Sequence, residues 1–169
     1  MLNTAKSYFH RHWSRIIAKF PGLWKHYLYQ SFLATAVVFV VLLLLTMENV
    51  VVIASIGATA FIVFTMPKNI TARPRRVIGG HFTGLVSGSL CYLIPHDSTL
   101  ATVFVLSLAV GIAVFFMVTL DFEHPPAGGT ALGVALTGFS TDIFLALFTS
   151  VVILSLAHHF SKRFIRDLV

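Results

Sequence analysis

Two short stretches of this sequence hold most of its chemistry. The first is Asp121-Phe122-Glu123-His124-Pro125-Pro126-Ala127-Gly128-Gly129-Thr130. Proline has no backbone N–H to donate and is tolerated in a helix only in its first turn, so the pair predicts a helix starting near Pro125 or Pro126. The N–H groups from Ala127 to Thr130 would then lack intrahelical partners, and Gly128 and Gly129 would leave them uncovered. The second stretch, Ser55-Ile56-Gly57-Ala58-Thr59, is similarly small and hydroxyl-bearing, although no proline marks its start. Unpaired N–H groups at the positive end of a helix macrodipole attract anions. Two such helix starts facing each other predict a binding site for a small inorganic anion that needs no arginine.

Asp121, Glu123 and His124 lie within the first stretch, and Glu48 and His81 are ionisable groups on either side of the second. An ionisable group within a membrane is a functional candidate by default, which makes Glu48, Glu123 and His81 candidates for carrying a coupled proton. Each also has a plainer reading. Glu48 and Glu123 can be solvated loop charges, His81 can be polar packing between helices, and His124 can cap a helix. H-E-x-x-H, Cys-x-x-Cys and a nucleophile elbow are all missing from the sequence. No metal, no cofactor and no enzymatic activity are therefore expected, although a membrane enzyme built on His81, His124 and the acids is a distant alternative.

The elements that must position these residues follow from composition. Of 169 residues, 57% are hydrophobic and only 11% charged, where soluble domains carry about 25% charged residues. The charges leave six charge-free intervals, residues 26–47, 49–67, 77–96, 98–120, 124–141 and 143–161. A spanning helix takes roughly 17 to 25 mostly apolar residues, so the chain reads as an all-α integral membrane protein with six apolar segments. A soluble catalytic domain, a disulfide scaffold (Cys91 is the single cysteine) and a nucleic-acid binder are excluded.

All 12 basic residues lie before the first segment, between the second and third, or after the sixth. Six crossings put these three places on one side, which the positive-inside rule makes the cytoplasm. Both termini are then cytoplasmic, with a bacterial inner membrane as the expected setting. Four crossings is the serious competitor, because residues 126–138 provide only ~20 Å of helix against a ~30 Å hydrocarbon core. Making either Gly-rich segment re-entrant by itself, however, moves a basic cluster outside. Ahead of these segments, Trp13, Ile16, Ile17, Phe20, Leu23 and Trp24 recur near the helical period until Pro21-Gly22 interrupts them. Residues 1–27 are expected to form an amphipathic helix in the cytoplasmic interface, and residues 28–169 a single transmembrane domain.

A shift of 71 residues lays Gly57-Ala58-Thr59-Ala60-Phe61 over Gly128-Gly129-Thr130-Ala131-Leu132. The same shift superposes the first segment on the fourth and the third on the sixth. Three segments is an odd number, so the expected architecture is two inverted three-segment repeats, about residues 28–95 and 99–166. The second and fifth segments would be interrupted or half helices, as in secondary transporters. Gly80, Gly84 and Gly88 form two successive G-x-x-x-G steps, a pattern for close helix packing.

His124-Pro125-Pro126 followed by Ala-Gly-Gly-Thr-Ala-Leu, with Ser55-Ile56-Gly57-Ala58 upstream and Pro74-Arg75-Arg76-Val77-Ile78-Gly79-Gly80-His81 between, resembles the HPP family of small integral membrane proteins. The resemblance covers about residues 29–160 and implies an anion transporter, with nitrite as the leading substrate. It also implies four transmembrane helices where the charges give six segments. A non-transporting membrane subunit or scaffold is the alternative. The expected partners are the lipid bilayer, the anion and a further copy of the chain, as a homodimer or larger assembly that buries the glycine faces; nucleic acid is not among them.

Overall fold

The computed structural model describes residues 2–44 and 50–169, with side chains left aside at 2–9, 11–13, 15, 16, 19, 20, 44 and 50–52. The described residues are all helical or loop. Six α-helices run in the order α1 (Leu2–Leu44), α2 (Val50–Thr65), α3 (Pro74–Tyr92), α4 (Thr99–Thr119), α5 (Ala127–Thr137) and α6 (Thr141–Ser161), with a short 3-10 turn at Ile70–Ala72 before α3. Backbone polar groups have no water to bond in a bilayer, which leaves the helix as the way an apolar segment of this kind satisfies them.

Three helices are long and apolar enough to cross a membrane: the Pro21–Leu43 part of α1, α4 and α6. α3 is nearly as long, with 19 residues, but carries Arg75 and Arg76 in its first turn. α2 and α5 are shorter, with 16 and 11 residues, or about 24 Å and 16 Å of helix at 1.5 Å per residue. Six full-length crossings are thus not what the helices provide.

The break expected at Pro21-Gly22 does not occur. α1 is one helix of 43 residues with Pro21 inside it, so residues 2–27 continue into the first apolar segment. Proline in a helix interior costs about 3 kcal/mol. A long apolar run on its C-terminal side, which has no alternative to helix in lipid, outweighs that. Of the amphipathic stripe, Ile17 and Trp24 are exposed and Leu23 is half-buried, whereas Trp13, Ile16 and Phe20 lie outside the described side chains.

The packing puts large apolar side chains outward and small or polar ones inward. Phe32, Leu43, Leu100, Phe104 and Phe160 are each more than 60% exposed, while Ala109, Ala113, Ala127, Ala131 and Ala135 are sealed. Along α4, Val105, Ala109, Ala113 and Met117 recur every four residues on one buried face. Short side chains there bring α4 close to α3 and α5, against which it packs. A second cluster gathers Val41 of α1, Ile56, Val63 and Phe64 of α2, and Leu147, Val151 and Leu154 of α6.

α5 lies at the centre, against α2, α3 and α4. Its fit depends on a glycine seam along α3. A Cβ at Gly79 would fall 2.5 Å from the Phe122 ring, one at Gly80 2.6 Å from His124 Cβ, and one at Gly88 2.8 Å from Val134 Cβ. At Gly84 it would strike the Ala127 carbonyl. The G-x-x-x-G face is therefore filled from within the chain, by the 121–126 loop and α5.

Candidate functional site

The seam holds His124 against α3, and the residues around it form one buried polar cluster. Ser55 and Thr59 come from α2, His81 from α3, Thr130 from α5 and His124 from the loop before it; all five are between 0 and 4% exposed. Ser55 and Thr59 stand one turn apart on α2, so both face α5. His81 lies about 10 Å along α3 from Pro74, two turns in.

The contacts form a chain. Ser55 Oγ is 3.0 Å from Thr130 Oγ1, and Thr130 Oγ1 is 2.8 Å from His81 Nδ1. The other nitrogen of that ring, Nε2, is 2.8 Å from Thr59 Oγ1, which in turn is 3.0 Å from His124 Nε2. The chain ends at the Thr71 carbonyl, 2.9 Å from His124 Nδ1. A carbonyl only accepts, so Nδ1 carries the hydrogen there. Thr59 also donates back to the Ser55 carbonyl at 2.9 Å. The two rings sit 5.0 Å apart, tilted by 55°. Thr59 and Thr130, which hold His81 from either side, are the residues that the 71-residue shift superposes.

Charge is confined to the rim. Arg76 is buried at the start of α3, donates from Nη2 to Asp121 Oδ1, and pairs through Nη1 with Glu123 Oε2. Arg75 lies 3.9 Å from Asp121 and 5.4 Å from the Phe122 ring. Asp121 takes a positive φ of 59°, turning the chain so that both its own carboxylate and that of Glu123 reach Arg76.

Several expectations meet this geometry directly. α5 begins at Ala127 with Pro126 as its cap residue, as the proline pair predicts. The N–H groups behind it are engaged, however: those of Ala127, Gly128 and Gly129 donate to the carbonyls of His124, Pro125 and Pro126 at 2.9, 3.1 and 2.9 Å. Tight turns through the two prolines bring those carbonyls under the first turn, which supplies partners that a straight entry would not. α2 does not begin near Ser55 either. It starts at Val50, because the apolar residues ahead of Ser55 contain no proline or glycine to interrupt a helix there, and Ser55-Ile56-Gly57-Ala58-Thr59 sits in mid-helix. Ile56 packs into the core, and a Cβ at Gly57 would have open space around it. Gly129 is where α2 and α5 approach: its Cβ would lie 3.2 Å from that of Ser55.

Of the proton candidates, His81 is central to the cluster, Glu123 is paired to Arg76, and Glu48 lies outside the described residues. Sequence reasoning missed the Thr71 carbonyl, for which no side-chain signal exists. It also missed the Arg76 pairing, for which the signal was present: Arg76, Asp121 and Glu123 share one side in the six-segment topology. No metal-ligating group of three appears among the described residues.

A family model described as HPP, transmembrane region, matches residues 21–166. Two transmembrane proteins of Dictyostelium discoideum are similar in part, one 37% identical over 82 residues and the other 32% over 85. The matches span 48% and 50% of this chain but only 29% and 27% of those relatives. No solved structure matches the chain. The family match takes in α2, α3, α4, α5 and α6 whole and with them every residue of the buried cluster, and the chain belongs to the HPP family of transmembrane proteins.

Proposed function

We propose that the protein transports a small inorganic anion across the membrane, with nitrite as the leading substrate, and that it is not an enzyme. The observation behind this reading is the cluster itself: five polar side chains without formal charge, from four segments, sealed and joined in one hydrogen-bonded chain where α2, α3 and α5 meet. Burying polar groups costs free energy even when they are paired, and helix adhesion alone is available from the glycine seam. Hydroxyls that reorient and imidazole N–H groups are donors that a weakly basic oxyanion can engage one at a time, without the tight hold of an arginine.

The inverted-repeat architecture belongs to the same proposal. Under the 71-residue shift α1, α2 and α3 correspond to α4, α5 and α6. The packing pairs follow that correspondence: α3 with α5 and α6 with α2, α3 with α4 and α6 with α1, α4 with α5 and α1 with α2. The two self-related pairs, α2 with α5 and α3 with α6, also touch. The cluster lies where α2 and α5 meet. In transporters with inverted repeats the substrate site lies at such a crossing, near the midplane. We place the substrate among Ser55, Thr59, His81, His124 and Thr130, with Gly128 and Gly129 keeping α5 close.

The orientation that puts Arg73, Arg75, Arg76 and the C-terminal Lys162, Arg163 and Arg166 in the cytoplasm completes the proposal, in a bacterial inner membrane. The homodimer or larger assembly stays part of it, but its reason changes, since Gly80, Gly84 and Gly88 are already filled within the chain. Cross-linking in native membranes measures that state. Transport is tested by reconstituting the purified protein in liposomes and following nitrite uptake, with nitrate, bicarbonate, chloride and formate as competitors. Saturable nitrite uptake above protein-free liposomes is expected. Folded, inserted protein that moves none of these anions would sink the proposal.

A further inference from the structure

The hydrogens in the cluster can be counted against its contacts. Thr59 has one hydroxyl hydrogen and donates it to the Ser55 carbonyl. Its oxygen then accepts from the two nitrogens that face it, His81 Nε2 and His124 Nε2, at 2.8 and 3.0 Å. A hydroxyl oxygen with two lone pairs has room for both. On His81 this assignment is consistent with a neutral ring, Nε2–H toward Thr59 and a bare Nδ1 accepting from Thr130. His124 is different. Its Nδ1 faces the Thr71 carbonyl and must donate, and its Nε2 faces an oxygen whose own hydrogen points elsewhere. Filling both contacts takes one hydrogen more than a neutral imidazole carries. With a neutral ring the Thr59 hydroxyl has to turn from Ser55 to His124 Nε2. Both arrangements use the same heavy-atom positions.

The titratable and charged surroundings bear on what a proton there requires. α2, α4 and α5 contain no titratable residue among Val50–Thr65, Thr99–Thr119 and Ala127–Thr137. α3 supplies His81 and, at its start, Arg75 and Arg76, whose charges are answered by Asp121 and Glu123. α6 supplies His158, which donates to the Pro67 carbonyl at 2.9 Å, and Asp142 in its opposite first turn. Among the described residues no carboxylate bonds to the cluster, so an imidazolium in it is as costly as any isolated charge in an apolar medium, and so is an anion. Each becomes affordable in the presence of the other, because the pair is neutral. By linkage, whatever the proton does for anion binding, the anion does for proton binding.

Resting on the transport reading above, we propose that the Thr59–His124 contact is a proton-binding position and that the protein carries one proton with each monovalent oxyanion, electroneutrally. A proton from water on one side forms the His124 Nε2–H bond as the anion enters and accepts from His81 and the hydroxyls. On the other side that N–H bond breaks, the proton returns to water and the anion leaves. Nothing is oxidised or reduced.

The test uses the full-length protein in liposomes loaded with a pH-reporting dye, given nitrite under two conditions. In one the membrane potential is clamped at zero or at about −100 mV with potassium and valinomycin; in the other the lumen is made alkaline. One proton should enter per nitrite, the initial rate should change less than twofold between the two potentials, and the alkaline lumen should drive accumulation above the outside concentration. In His124→Gln, which donates in the same place but holds no extra proton, nitrite uptake should fall tenfold or more and the residual flux should respond to potential. Wild-type flux that follows the potential and leaves the dye unchanged would overturn proton coupling while leaving anion transport intact. Absence of flux for every anion would remove the reading on which the coupling rests.

Discussion

The polar cluster around His81 and the arginine rim around Arg76 lie within two turns of each other on α3, yet they solve opposite problems. At the rim, Arg76 is buried but paired with Asp121 and Glu123, whose side chains are 58% and 36% exposed. Charge is tolerated there because its partners reach water. In the cluster every side chain is sealed and none has a formal charge when the rings are neutral. One helix thus passes from a place where opposite charges hold a loop down to a place where hydroxyls and imidazoles share hydrogens. The rim fixes the loop that carries His124, and the cluster has hydrogens that can move.

The largest difference should come from Arg76→Ala. It strands two carboxylates beside a buried gap and should cost about 2–3 kcal/mol, less than the ~3–5 kcal/mol of a fully buried pair because both partners are partly solvated. Thermal unfolding in detergent measures it. An unchanged midpoint would show that the rim is not what holds the 121–126 loop. Thr59→Val is smaller in stability, about 1–2 kcal/mol, since it keeps the shape and leaves two ring nitrogens without a partner. A loss equal to that of Arg76→Ala would mean that the cluster is chiefly structural. Asp121→Asn should cost less than about 1 kcal/mol, because its side chain is mostly solvated and Glu123 still holds Arg76. Gly57→Ala should be nearly neutral or gain up to about 1 kcal/mol, as a mid-helix glycine with open space around it. A marked loss would return Gly57 to the role of a helix start.

Much of this was legible in the sequence, and what was not has identifiable causes. The charge-free intervals located all six helices, and Pro125-Pro126 located the start of α5, since proline acts through its own backbone. The spacing of Gly80, Gly84 and Gly88 announced a close approach. The start of α2 was misjudged, because small residues in mid-helix look like those at a helix end when the helix faces another closely. Pro21 was misjudged for a related reason: a local cost was set against a local pattern, while the apolar run after it decided the outcome. Of the residues expected to form the site, Ser55, Thr59, His124 and Thr130 meet through side chains rather than free amides, while Ile56 packs in the core and Gly57 and Ala58 are exposed. That exchange was hidden because the carbonyls of His124, Pro125 and Pro126 reach the first turn of α5 only through the turn geometry. Thr59, His81 and Thr130 were each noticed, but their meeting depends on helix packing that no spacing along the chain encodes.

The most direct test is nitrite flux through Thr59→Val beside wild type and Asp121→Asn, in the same liposomes and at matched amounts of folded protein. If the neutral cluster handles the anion, Thr59→Val should lose at least about tenfold, the equivalent of 1.4 kcal/mol or more in the rate-limiting step, while Asp121→Asn stays within about twofold of wild type. Equal flux through Thr59→Val and wild type would contradict the assignment of transport to the cluster.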